Sequence, residues 1–157
     1  MNDPVSVILD HLKVELELSE KLFLILQKEE KSLINNDLTQ LESISTEKSQ
    51  LISDYLLTRD IRWKKLSSAD IDLKEAEFEQ WVISQKNEPL HNIWSKLNQV
   101  LANSQQINRT NGLIIHQLST KNQRAIAILL GQDDSNGLYG SSGQSLSSSN
   151  FNKITGY

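Results

Sequence analysis

Cysteine is absent from the 157 residues. That excludes a disulfide framework and any thiolate metal site. Proline occurs twice, glycine six times, and aromatic residues make up 6% of the chain. A β-rich fold has little to work with here. No apolar run approaches the ~20 residues of a membrane span. The N-terminal stretch MNDPVSVILDHLKVELE has no basic segment leading into an unbroken apolar core, so it does not read as a signal peptide. Base is outnumbered: 16 Lys and Arg face 20 Asp and Glu, for a net charge of −4. That argues against nucleic acid as the main partner. The expected location is the cytoplasm. What is abundant is Leu, Gln, Lys, Glu, Asn and Ser, a composition suited to helices. At 38% hydrophobic residues and a mean hydropathy of −0.42, the chain suits one soluble domain with a modest core.

Hydrophobic spacing predicts a long first helix. Asp3-Pro4 supplies an N-cap followed by proline at the first helical position. Val5, Leu9, Leu12, Leu16, Phe23, Leu26 and Leu33 then follow a 4-3 spacing, with Ser19 and Glu30 in its other two places and Ile8, Leu22 and Ile25 widening the stripe. The pattern stops near Asn35-Asn36. Asp37 opens a second helix, with Gln40 placed for a capping box. Leu38, Leu41, Ile44, Leu51, Ile52, Tyr55 and Leu56 carry it toward Leu66. So short a link predicts an antiparallel hairpin. Ser67 to Asp70 reads as a loop, 72–86 as a weaker helical segment around Phe78, Trp81 and Val82, and Asn87-Glu88-Pro89 as a break or a new start.

The last helical pattern contains a contradiction. Asn111-Gly112 is a strong turn signal, because both residues tolerate positive φ. Yet Leu90, Trp94, Leu97 and Leu101 lie on a 4-3 frame that continues without a shift through Ser104, Asn108, Asn111, Ile115, Leu118, Asn122, Ala125 and Leu129. A hairpin turn has no reason to preserve that phase. The spacing predicts one helix over 90–130, despite a glycine penalty of ~1 kcal/mol, with Gly131 as its C-cap. The polar places in the frame read either as layers that fix register or as close helix packing at Asn108, Asn111 and Gly112.

After Gly131 the composition turns to Ser, Gly and Asn, with isolated Leu138, Tyr139, Leu146, Phe151, Ile154 and Tyr157. So few apolar residues cannot offset the entropy of ordering. The expected organisation is a helical domain over 1–131 and a flexible tail over 132–157. The fold class is all-α: an elongated antiparallel bundle of three to four helices with that tail.

Catalysis has no candidate residues. There is no phosphate-cradling glycine loop and no nucleophile beside a base. His11, His91 and His116 do not fall at metal-ligand spacing with a carboxylate set. His116 in HQLSTK is only faintly like the histidine of phosphotransfer bundles, since Ser119 and Thr120 stand where Lys and Gly are usual. No cofactor or metal is expected. In RDIRWKKL, Arg59, Arg62, Lys64 and Lys65 surround Trp63; this reads as a solvated face or as a docking patch for an acidic partner. Arg109, Lys121 and Arg124 read the same way.

Several features together resemble the FlgN-type flagellar export chaperones, over essentially the whole chain. They are the Asn/Asp turn in LINNDLTQLESISTEKSQLI, the spacing Leu41, Lys48, Leu51 and the later Arg59. To these add N-x-x-N-G-x-I at Asn108, Asn111, Gly112 and Ile114, the ending AIAILLG, and YG-x-x-G at Tyr139, Gly140 and Gly143. Ser141-Ser142 departs from the family, which more often has proline and an acidic residue there. The resemblance implies a non-enzymatic, ATP-independent chaperone. Such proteins hold hook-associated junction proteins (FlgK- and FlgL-type) by their C-terminal segments and deliver them to the flagellar export gate (FlhA-type). The expected substrate contacts are Leu118, Ile126, Leu129 and Leu130, as i, i+3, i+4, i+7 anchors, with Phe151 and Ile154 from the tail. Tyr139 is expected to touch substrate or gate. The expected state is a monomer or weak oligomer without membrane insertion. The competing reading is a helical adaptor or coiled-coil structural protein with no export role, which the interruptions at Ser19, Glu30, Lys48 and Asn111 disfavour.

Overall fold

Four helices, and no strand, make up the residues described by the computed structural model, 3–131. They are α1 (Pro4–Asn35), α2 (Leu38–Ser68), α3 (Glu75–Ser84) and α4 (Glu88–Leu129). Residues 132–157, including Tyr139, Phe151 and Ile154, lie outside the described segment.

The chain's own punctuation sets the boundaries. Asp3 caps α1 by accepting from the Val5 amide at 3.3 Å, with Pro4 as the first helical residue. Asn36 closes α1 in the left-handed region at φ 54, a conformation asparagine tolerates. Asp37 then caps α2 by accepting from the Gln40 amide at 3.0 Å. The capping box is half made: the Gln40 side chain instead accepts from the Ser32 hydroxyl at 2.6 Å, tying the two helices at their turn. α2 runs through Ser67 and Ser68, which were expected in a loop; Asp70, at φ 57, is where the chain leaves the helical path. α3 is shorter than the 72–86 expected, because Lys74 is its N-cap and Glu77 reaches back to accept from the Lys74 amide at 2.7 Å. Asn87 caps α4, accepting from Leu90 at 2.9 Å, and Pro89 sits in its first turn.

α4 passes straight through Asn111-Gly112. Its buried residues are Leu90, Leu97, Ser104 and Asn111, each seven after the last, so the unbroken 4-3 phase is what keeps this helix on its neighbour. Among the described residues Gly112 is not a point of close packing: a β-carbon added there meets nothing within 4 Å. The close contact belongs to Asn111, one residue earlier and about 100° away around the helix. At the far end the C-cap is Leu130, and Gly131 follows it at φ +67.

α1 is the spine. It packs along α2 on one side and α4 on the other, while the α-carbons of α2 and α4 nowhere come within 8 Å of each other. Contacts such as Arg62 to Glu15 and Lys48 to Glu29 make α1 and α2 antiparallel. Lys96 to Glu20 and Asn111 to Glu29 make α4 parallel to α1. The core runs from Ile8, Leu12, Leu22 and Leu26 of α1 to Ile52, Tyr55 and Leu66 of α2 and Leu90 and Leu97 of α4. α3 adds Phe78 and Val82 from above the α2–α4 seam.

The seam of α1 shares Leu12, Ser19, Leu26 and Leu33 with the apolar frame read from the sequence, and its alternate positions fall one residue earlier than in that frame. The buried residues are Ile8, Leu12, Glu15, Ser19, Leu22, Ile25, Leu26, Glu29, Ser32 and Leu33; Leu9, Leu16, Phe23 and Glu30 are only half-buried. Two glutamates therefore lie in the core, and each needs a counter-charge.

Candidate functional site

The unfilled part of the α2–α4 seam is the candidate site. Over its second half, next to the α1–α2 turn, the seam is an open groove of about 810 Å³. Leu33 of α1 lines its base, Leu38, Leu41 and Ile52 of α2 one wall, and Ile115, Leu118 and Ile126 of α4 the other. Ser45, Ser49, Ser119, Asn122 and Gln123 complete the walls with neutral polar groups. Leu38 and Ile126 are 71% and 56% exposed, so apolar side chains of the groove face solvent.

The inner end of the groove is closed by a buried polar layer. Lys48 Nζ donates to both carboxylate oxygens of Glu29, at 2.9 and 3.1 Å, and to Asn108 Oδ1 at 3.2 Å. Asn111 Nδ2 donates to Glu29 Oε2 at 2.8 Å and to the Leu26 carbonyl at 3.0 Å. All three ammonium hydrogens of Lys48 are used, and the Asn111 bonds splice α4 onto α1. This is the physical role of the polar frame positions Asn108 and Asn111: they fix the register of three helices at one level. The interruption of the α2 frame at Lys48 was visible in the sequence. Its partner Glu29 was not, because Glu30 sits in the more apolar of the two possible frames.

A second polar layer lies further up the bundle. Arg62 Nε and Nη2 donate to the two oxygens of Glu15 at 2.6 and 3.3 Å, with both side chains out of solvent. The Arg62 guanidinium carbon also stands 4.3 Å from the centre of the Phe78 ring. The reading of RDIRWKKL as a solvated face or docking patch therefore fails at Arg62, which is a core residue, while Lys64 and Lys65 are exposed. Arg59 pairs with Glu75 of α3. Next to this layer Tyr55 is buried at the α1–α2 interface. Burial, reinforced by the Glu15 carboxylate, holds its phenol well above its ordinary range, against the opposing pull of Arg62 and Arg59.

The residues expected to bind substrate divide. Leu118 and Ile126 line the groove. Leu129 and Leu130 do not; they are 84% and 68% exposed at the tip of α4. Asn111 is level with Leu26, and α1 ends at Asn35, so α4 overhangs the α1–α2 turn by about ten residues, or roughly 15 Å. Ile126, Ile128, Leu129 and Leu130 are on this overhang. No group of His, Asp and Glu that could hold a metal occurs among the described residues, and no described helix is long and apolar enough to cross a membrane.

Fold and site together define a helical bundle with an open apolar seam between two of its long helices. Residues 1–147 match the family described as FlgN protein. The chain belongs to the FlgN family, a family of flagellar export chaperones rather than of enzymes. No curated protein and no solved structure matches it.

Proposed function

We propose that the groove between α2 and α4 holds an amphipathic helix from the C-terminal segment of a hook-associated junction protein (FlgK- or FlgL-type) in the cytoplasm. The chaperone then delivers this cargo to an export gate of the FlhA type. One observation carries the reading: in a chain of a flagellar export chaperone family, the α2–α4 seam is left open next to the α1–α2 turn and is walled by apolar side chains. A helix laid there would bury Leu38, Leu118 and Ile126 against its own anchors, as in other helix-in-groove complexes. The neutral walls favour a helix whose flanks carry Ser, Asn or Gln rather than charge. Leu129 and Leu130, beyond the groove, extend the same apolar path along the overhang. From the tail, Phe151 and Ile154 help to hold the cargo, and Tyr139 touches cargo or gate, offering large amphipathic area at low side-chain entropy cost.

The test is binding of a junction protein to the Leu118→Ser/Ile126→Ser variant. Both residues stand at the groove wall rather than in the core, so helicity by circular dichroism should be kept. Binding should fall by at least about tenfold. Unchanged binding by a fully helical variant rejects the groove as the site.

A further inference from the structure

We propose that the seat of α3 is the second half of the same binding seam, and that a cargo helix longer than about three turns takes it in place of α3. This rests on the groove reading above. The groove wall from Ile115 to Ile126 spans about 16 Å, enough for roughly three turns. Above it the Lys48–Asn108 bond crosses the seam at one level, and beyond that bond a gap opens again. This gap lies between α2 and α4, where α3 lies over it.

α3 is held the way a ligand is held. Its backbone approaches α4 only, and it reaches α2 through side chains. Phe78 and Val82, four residues apart, are its two buried anchors. The Phe78 ring lies among Trp63, Trp81 and Trp94, with centroids 5.5, 5.6 and 4.9 Å away. Glu75 pairs with Arg59 of α2, and His91 Nε2 lies 2.8 Å from the Val82 carbonyl. A helix of ten residues does not hold its form alone in water. Its helicity comes from the seat, and the links at 69–74 and 85–87 are all that tether it.

The seat is also incompletely filled. A cavity of about 640 Å³ remains beside α3, lined among others by Tyr55, Arg62, Trp63, Phe78 and Trp94. Two of these residues carry buried donors with no acceptor among the described residues: Arg62 Nη1 and Trp94 Nε1. α3 brings no acceptor to either. The ligand chemistry follows. The displacing helix carries an acidic residue to replace Glu75 on Arg59, a large aromatic three residues later and an aliphatic four beyond that. A carboxylate or amide oxygen on it would answer Arg62 and Trp94.

The experiment uses two synthetic peptides from the C-terminal segment of a hook-associated protein of the same bacterium, one of three turns and one of six. Ala76 of α3 and Ala102 of α4 line the same cavity. An Ala76→Cys/Ala102→Cys variant joined by a bismaleimide pins α3 down, with no native cysteine to interfere. The pinned protein should bind the short peptide as the parent does and the long one at least about tenfold more weakly. With the parent, the long peptide alone should red-shift tryptophan emission and strip α3 amides of exchange protection. The Glu75→Gln variant, which loosens α3 without touching the groove, should bind the long peptide about two- to fivefold tighter. Equal binding of the long peptide to pinned and parent protein, with α3 amides still protected, overturns the proposal and leaves the groove reading standing. Failure of both peptides to bind the parent overturns both.

Discussion

Arg62 grips Glu15 with two parallel hydrogen bonds, at 2.6 and 3.3 Å, in the middle of the α1–α2 interface. The pair is shielded on its outer side by Phe78. Taking both charges out of water is costly, and their attraction roughly offsets that cost only while both are present.

Removing one partner should therefore hurt far more than replacing both. Arg62→Ala or Glu15→Ala is expected to cost about 3–5 kcal/mol, because it strands a buried charge. Glu15→Leu/Arg62→Met should fall near the parent. Urea denaturation of the three variants checks this. A double variant as weak as the singles would show that the pair adds net stability.

Asn111 and Gly112 should respond in opposite directions although they are neighbours. Asn111→Ala removes two buried hydrogen bonds to α1 and should cost about 1–3 kcal/mol. Gly112→Ala should leave the fold unchanged or stabilise it by up to ~1 kcal/mol, since the added methyl enters open space on a helix. Thermal melts of the two variants provide the comparison. A destabilised Gly112→Ala protein would mean that this face is covered in solution.

Tyr55 should produce an alkaline limb in the stability curve. Its folded-state pKa is raised above the ordinary value of 10.0, chiefly by burial and then by Glu15. The folded protein thus holds the phenolic proton more tightly than the unfolded chain. That contribution is fully present below pH 10 and is lost as pH rises above it. Melting temperatures of the parent between pH 9 and about 11.5 should fall more steeply than those of Tyr55→Phe. Parallel curves would refute the assignment.

Truncation after Gly131 should leave the melting temperature nearly unchanged, because among the described residues the buried apolar core lies within 8–97. Binding to junction protein or to gate should weaken if Tyr139, Phe151 and Ile154 make the contacts proposed for them, as coupled ordering of such a segment buries apolar area. One truncated protein serves for both the melt and the pull-down. A large loss of thermal stability would identify the tail as a structural strap, and full binding to both partners would remove its proposed role.

Much of this protein was determined by local sequence. Asp3-Pro4, Asn36-Asp37, Asn87 and Gly131 mark the helix boundaries because caps act within a few residues, through bonds that need no distant partner. The continuity of α4 through Asn111-Gly112 was legible because phase along a helix is a one-dimensional property. The order and spacing of N-x-x-N-G-x-I and the tail motif carried the family. What tertiary structure decided was which of two overlapping stripes of α1 faces inward. A frame through Leu9, Leu16 and Phe23 is the more apolar, but the seam runs through Glu15 and Glu29. The charges that make this possible, Arg62 and Lys48, lie 47 and 19 residues away along the chain. Such pairing is invisible to periodicity, since a buried charge is tolerable only once its partner arrives in space. The open groove is tertiary for the same reason: no stretch of sequence records that α1 separates α2 from α4, or that α3 is too short to close the seam between them.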